Sequence, residues 1–210
     1  MKLYNFAASP NAIKVWAVIH YLGLDVESVP VDFAAGTMKS DEYGQINPNR
    51  LMPTLVDDDF KLWESTAIMQ YLAHKAGDTK LWPADPRQQA DVSRWLCWQL
   101  AHWGQAMRVF MFENLVKRMF KMGPPDPAEI ERGTALFHKH AAVLEAQLAS
   151  RTWVCGDQLT LADFSLAASL GYAPMAGVPW DDYASLRAWY ARIEALDCWK
   201  KAWPPMPSRA

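Results

Sequence analysis

The first third of the chain switches repeatedly between the two apolar periods of secondary structure. Lys2–Phe6 reads as a strand, and Ala12–Leu22 has helical apolar spacing with Gly23 placed to end it. Val26–Phe33 is a second extended run, which predicts a βαβ unit whose first two strands are parallel. Thr54–Val56 and Lys61–Trp63 flank Asp57-Asp58-Asp59, the pattern of a hairpin turn. Ser65–Ala76 then reads as a helix closed by Gly77.

Beyond Leu81-Trp82-Pro83-Ala84-Asp85-Pro86 no convincing strand pattern remains. Pro86 to about Met122 predicts one long helical segment, with Asp85 as N-cap and Pro86 at the first helical position. Gly123-Pro124-Pro125 breaks it, and Asp126-Pro127-Ala128-Glu129 starts the next helix with carboxylates at N-cap and N3. Further helices are expected over roughly 161–172 and 183–196. The change of texture predicts an α/β domain over 1–78, a linker over 79–86 and an all-helical domain over 87–210, with a loose Pro-rich tail from Pro204.

Composition narrows the function. A hydrophobic share of 51% supports a sizeable core, and a net charge of −2 leaves no electrostatic footprint for nucleic acid or anionic lipid. The 11 Trp and 10 Met are more often thick packing between helices than a pocket lining. Cys97, Cys155 and Cys198 are far apart, with no CxxC pair, which fits a reducing compartment better than a disulfide framework or a zinc site. The longest uncharged stretch, Phe164 to Trp180, is 17 residues, broken by two prolines and short of a membrane span. The opening residues lack an apolar segment of secretion-signal length, so a cytoplasmic protein is expected. The five His are scattered and His138 and His140 point to different faces of a helix, so no metal site is expected. No GxGxxG, GxxxxGK or GxSxG pattern occurs.

Three polar junctions remain, each with a bland and a chemical reading. Ser9-Pro10-Asn11, between strand one and helix one, reads as an N-cap followed by an N1 proline. It also reads as a helix N-terminus whose hydroxyl stabilises an anion, with Asn11 adding an amide donor. Met52-Pro53 opens strand three as an edge device; with a cis bond it instead turns the Met52 N–H and C=O toward a peptide-like ligand. Glu64-Ser65 reads as a cap beside a solvated charge, or as an amino-acid grip in which Ser65 takes a carboxylate and Glu64 an ammonium.

The order of these pieces resembles a glutathione transferase over essentially the whole chain. The resemblance rests on Ser9-Pro10-Asn11-Ala12-Ile13-Lys14-Val15, Asn47-Pro48-Asn49-Arg50-Leu51-Met52-Pro53-Thr54-Leu55, Leu62-Trp63-Glu64-Ser65-Thr66-Ala67-Ile68 and Gly156-Asp157-Gln158-Leu159-Thr160-Leu161-Ala162-Asp163. It is nearest to the serine-type, theta-, phi- and nu-like branches. It implies an α/β thioredoxin-like N-terminal domain followed by an all-α C-terminal domain, glutathione as co-substrate with no further cofactor, a homodimer and a role in detoxification. By position, Ser9 matches the serine that activates the thiol, Met52 and Pro53 the pair holding the cysteinyl backbone with Pro53 cis, and Glu64 and Ser65 the pair holding the γ-glutamyl end. Lys39 falls where phi-like members place a lysine near the glycyl carboxylate.

The resemblance also implies a small apolar electrophile in a pocket between the domains. Trp103, Met107, Phe110, Met111 and Leu115 are candidates for its wall, although core packing is the commoner fate of such residues. Asn5 stands where tyrosine-type members carry their catalytic tyrosine, and Tyr4 points to the other face of its strand. No cysteine lies near residues 9–11, which disfavours mixed-disulfide chemistry, and the Ser-Ser-Cys run of maleylacetoacetate isomerases is absent. Ser-Pro-Asn is also similar to the Thr-Pro-Asn of bacterial glutathione-dependent disulfide reductases, so disulfide reductase or peroxidase activity stands as an alternative. A non-catalytic ligand-binding protein of the same fold is a second. Thr160 and Asp163 form a variant capping box, flanked by Leu159 and Phe164 in staple positions, to which a structural role is assigned.

Overall fold

The computed structural model describes residues 1–32 and 35–204. The end of the second expected strand, at Phe33, and the expected loose tail beyond Pro204 lie outside them. The chain divides into two compact units. The first opens with β1 (Lys2–Asn5), α1 (Pro10–Leu22) and β2 (Glu27–Pro30). A 3₁₀ turn over Thr37–Lys39 leads into α2 (Asp41–Ile46), then β3 (Thr54–Asp57), β4 (Phe60–Trp63) and α3 (Ser65–Lys75). The sheet order is β2-β1-β3-β4, with β1 and β2 parallel and β3 antiparallel to both β1 and β4. Helix α1 buries Ala12, Ile13, Val15, Ala17, Val18 and Ile19. It stops where Gly23 turns left-handed (φ 63°), letting the Leu24 N–H donate to the Ile19 carbonyl at 3.1 Å.

The second unit, Pro83–Glu194, is helical. Here the structure departs from the single long helix expected over 86–122. It contains α4 (Pro86–Trp98), a π-helical turn at Gln99–Trp103, α5 (Gly104–Met111), a second π turn at Phe112–Val116 and α6 (Lys117–Met119). Gly104 explains the first irregularity: its N–H donates to the Gln99 carbonyl five residues back, and a Cβ there would lie only 2.8 Å from that oxygen. Next come α7 (Pro127–Leu148), α8 (Leu161–Ala167), α9 (Ala173–Ala176) and α10 (Ala184–Ala195). Asp126 caps α7 by accepting from the Ala128 N–H at 2.9 Å. The expected reciprocal bond from Glu129 is absent, because the Asp126 N–H donates to Glu113 at 2.6 Å and Glu129 pairs with Arg132. The interior of this unit is aromatic, with Trp103, Phe110, Phe137, Phe164 and Trp189 all buried.

A last helix, α11 (Asp197–Ala202), packs on α1, with Trp199 and Ala202 buried. The sequence reading assigned all of 87–210 to the helical domain, whereas the stretch from Ala195 groups with the N-terminal unit. A six-residue helix whose partner lies far away in sequence leaves no local sign of where it docks.

Asp163 carries more than a cap. It is fully buried and accepts from the Val154 N–H (2.9 Å), the Thr160 N–H (2.8 Å), the Thr160 hydroxyl (3.1 Å) and the Trp189 indole N–H (2.9 Å). Burial pushes its carboxyl up, opposed by these donors. Asp163→Ala is therefore expected to destabilise the fold by about 3 kcal/mol or more, against the ~1 kcal/mol of a lost cap alone. Denaturant unfolding midpoints of the variant and the parent measure it.

Candidate active site

Strand directions determine which loops meet. β1 and β4 each pair antiparallel with β3, so both end at the sheet edge where β3 begins. Tyr4 is opposite Thr54, and Thr54 is opposite Trp63. The β1–α1 loop with Ser9, the Met52-Pro53 step before β3 and the Glu64-Ser65 step after β4 therefore share one edge. Contact between the first and last is direct: the Ser65 hydroxyl donates to the Asn11 side-chain carbonyl at 3.4 Å.

Ser9 sits at the N-cap of α1 with extended backbone (φ −76°, ψ 127°), but its side chain makes no capping hydrogen bond. Its carbonyl instead accepts from Ala12 and Ile13, each at 2.9 Å. Pro10 has no N–H, so the Asn11 amide is the first-turn donor without an intrahelical partner. Two donors, the Ser9 hydroxyl and the Asn11 N–H, thus stand at the positive end of a 13-residue helix.

The Met52-Pro53 bond is cis, and Met52 lies outside the strand ladder, which begins at Thr54. A buried polar brace supports the preceding turn. The Tyr43 hydroxyl (2.7 Å) and the Asn47 amide (2.8 Å) both donate to the Leu51 carbonyl, and Asn47 also donates to the Thr54 hydroxyl at 3.0 Å.

At the start of α3, Ser65 is buried, whereas Glu64 is exposed and has φ 70°. A non-glycine residue in that region costs of order 1–3 kcal/mol, and such residues concentrate at functional sites. Lys39 is exposed at the end of the Thr37–Lys39 turn. Asn5, which the resemblance aligns with the tyrosine of tyrosine-type members, is buried and committed: it donates to the Leu3 carbonyl and to Ser28, each at 2.9 Å, and accepts from the Trp16 indole.

The five residues expected along the electrophile pocket fare differently. Trp103, Met107 and Phe110 are at most 1% exposed, and Trp103 donates to the Leu166 carbonyl at 3.0 Å. Their surfaces are taken up by the interior of the helical unit, as the commoner reading of such residues has it. Met111 and Leu115 are partly exposed.

The sequence reading also passed over a charge. Lys14, one turn beyond Asn11, is fully buried, and burial pushes its ammonium down to about 8 while the negative charge of Glu64 pulls the other way. A lone charge between Ile13 and Val15 in an apolar run was the available signal. Among the described residues, no group of three His, Cys, Asp or Glu is placed to hold a metal, and no helix is long and apolar enough to cross a membrane.

Comparison with known proteins agrees with this architecture. The family model for the glutathione S-transferase N-terminal domain matches residues 1–74, and that for the C-terminal domain matches residues 127–192. A glutathione S-transferase of Hyoscyamus muticus is 34% identical, covering 96% of this chain and 97% of its own. Glutathione S-transferase 3 of Zea mays is also 34% identical, covering 99% and 97%. The solved structure of a glutathione S-transferase I bound with lactoylglutathione superposes with a TM-score of 0.88 at 27% identity, covering 96% of this chain and 97% of that one. The chain belongs to the glutathione S-transferase family, with its thioredoxin-like N-terminal domain and helical C-terminal domain.

The buried lysine gives a pH signature. Unfolded lysine titrates near ~10.4, so the folded chain gives up the Lys14 proton first. The cost of the buried ammonium is fully present below pH 8 and is relieved as pH rises from about 8 toward the unfolded value. The parent is expected to gain stability relative to Lys14→Met as pH rises from about 8 toward 10. Denaturant titrations of both proteins across that range measure it.

Proposed function

We propose that the protein is a glutathione transferase that ionises the glutathione thiol at Ser9 and directs the thiolate onto a small apolar electrophile. The observation that carries this reading is the Ser9 hydroxyl, which stands at a helix N-terminus without serving as its cap. A free thiol titrates near ~8.5, so favouring the anion by ~1–2 units leaves most bound glutathione ionised at neutral pH. One hydroxyl donor, the Asn11 amide and the α1 dipole are together an adequate source of that stabilisation. The sulfur lone pair then forms the carbon–sulfur bond, and the displaced group leaves with the bonding electrons or the adduct collects a proton from water.

The other groups hold the tripeptide. The Met52 N–H and C=O pair with the cysteinyl backbone as an added strand, beside cis Pro53. Ser65 and the N-terminus of α3 take the γ-glutamyl carboxylate, and Glu64 takes its ammonium. Lys39 takes the glycyl carboxylate. The assembly is a homodimer in this reading. Its support is the exposure of three large apolar side chains on the N-terminal unit, Leu51, Phe60 and Trp63. A monomeric mass by light scattering at micromolar concentration would count against it.

Two experiments separate activation from grip. Ser9→Ala is expected to leave glutathione affinity nearly unchanged while raising the pKa of the bound thiol. Turnover at neutral pH then falls by about 10- to 100-fold, and the loss shrinks as pH rises. Thiolate absorbance titrated in the glutathione complex reads it: a parent-like curve for Ser9→Ala with a shifted curve for Asn11→Ala transfers the role to the Asn11 side-chain amide, since that variant keeps the backbone N–H. Glu64→Ala and Ser65→Ala are expected to weaken glutathione binding by about 1.5–3 kcal/mol each, the range for hydrogen bonds to charged groups. Unchanged affinities by calorimetry would remove both from the site.

A further inference from the structure

Arg50 is half-buried with a left-handed backbone (φ 53°), two residues before the Met52-Pro53 step. Its own N–H donates to the Asn47 carbonyl at 2.9 Å, which seats it on the brace that supports that step. From there the guanidinium reaches back across the chain. One terminal nitrogen donates to the Ser40 carbonyl at 2.6 Å and to the Met38 carbonyl at 3.3 Å, and the other pairs with Asp41 at 3.2 Å. The two carbonyls bracket Lys39.

Gly44 makes room for this arrangement. A Cβ at that position would lie 2.8 Å from the guanidinium nitrogen. Ser40 is pinned independently as the cap of α2, its hydroxyl accepting from the Tyr43 N–H at 3.1 Å. The guanidinium thus ties the Lys39 turn to the segment leading into cis Pro53. A single ammonium has no planar fork with which to serve two carbonyls and a carboxylate at once.

We infer that Arg50 is a positioning residue: it holds Lys39 at the distance from Met52-Pro53 that a glycyl carboxylate requires when the cysteinyl backbone is paired there. This rests on the glutathione reading of the site. It makes selection for the full tripeptide, over a thiol lacking glycine, a property of the Arg50 clamp.

The test compares glutathione with γ-glutamylcysteine as thiol substrates of the full chain. Arg50→Gly removes the guanidinium and suits the left-handed backbone, so the turn itself is not strained. For this variant the KM for glutathione is expected to rise about tenfold with kcat within about twofold, while the KM for γ-glutamylcysteine changes by less than about twofold. Lys39→Ala is expected to give the same split, and adding it to Arg50→Gly to cost nothing further. Arg50→Lys is expected to behave like Arg50→Gly.

Three results would overturn the inference. Equal losses for both thiols would make the clamp a support of the whole turn. Additive losses with Lys39→Ala would make Arg50 an independent contact. Parent-like kinetics of Arg50→Lys would mean that a charge alone suffices. If the parent protein neither turns over glutathione nor binds it by calorimetry, the glutathione reading itself fails and takes the clamp with it.

Discussion

Two helices begin at the same edge of one sheet, and the candidate site follows from that. β1 and β4 run in the same direction because each is antiparallel to β3, and each is followed directly by a helix. The unpaired N–H groups of α1 and α3 are thereby brought side by side, and each helix start adds about half a positive charge. The start of β3 lies at the same edge and contributes a backbone step, cis at Pro53, with the polar brace of Tyr43 and Asn47 behind it. No loop has to travel far to join the cluster. The sheet register does the gathering: the loops supply Ser9 and Glu64, and the first turns of α1 and α3 supply Asn11 and Ser65.

The electrostatics of that edge are layered. The Ser9 and Ser65 hydroxyls are buried while Asn11 is exposed, and the fully buried Lys14 adds a further positive charge that Glu64 partly offsets. Burial disfavours the charged form of Lys14, and the Glu64 charge works against that. Glu64 adds a second local cost through its left-handed backbone. Two such costs within one small region argue that binding, rather than packing, shaped it.

Much of this was legible in the residues, for identifiable reasons. Strand and helix types followed from apolar period, and Pro10 and Gly23 bounded α1 because their backbone preferences are local. The Thr160–Asp163 pair was legible as a helix start for the same reason. What escaped were the features set by partners distant in sequence. The π turns at Gln99–Trp103 and Phe112–Val116 leave apolar spacing nearly intact, so the pattern read through them as one helix. The Trp189 bond to Asp163 spans 26 residues, and its weight is invisible from a capping pattern. Trp103, Met107 and Phe110 were ambiguous between pocket and core because an apolar stripe does not say what covers it. Arg50 carried no periodic signal, since a guanidinium bound to backbone carbonyls reads the same as one in solvent.

Helix α11 bears on the order in which the protein takes shape during synthesis. The N-terminal unit holds every residue of the proposed glutathione grip, and its first helix is covered by a helix made from residues 197–202. A ribosome releasing the chain from its N-terminus delivers the sheet, α1 and α3 early, yet the flank of α1 that α11 covers stays open until the whole helical unit has emerged. The half of the protein made first is thus the half finished last.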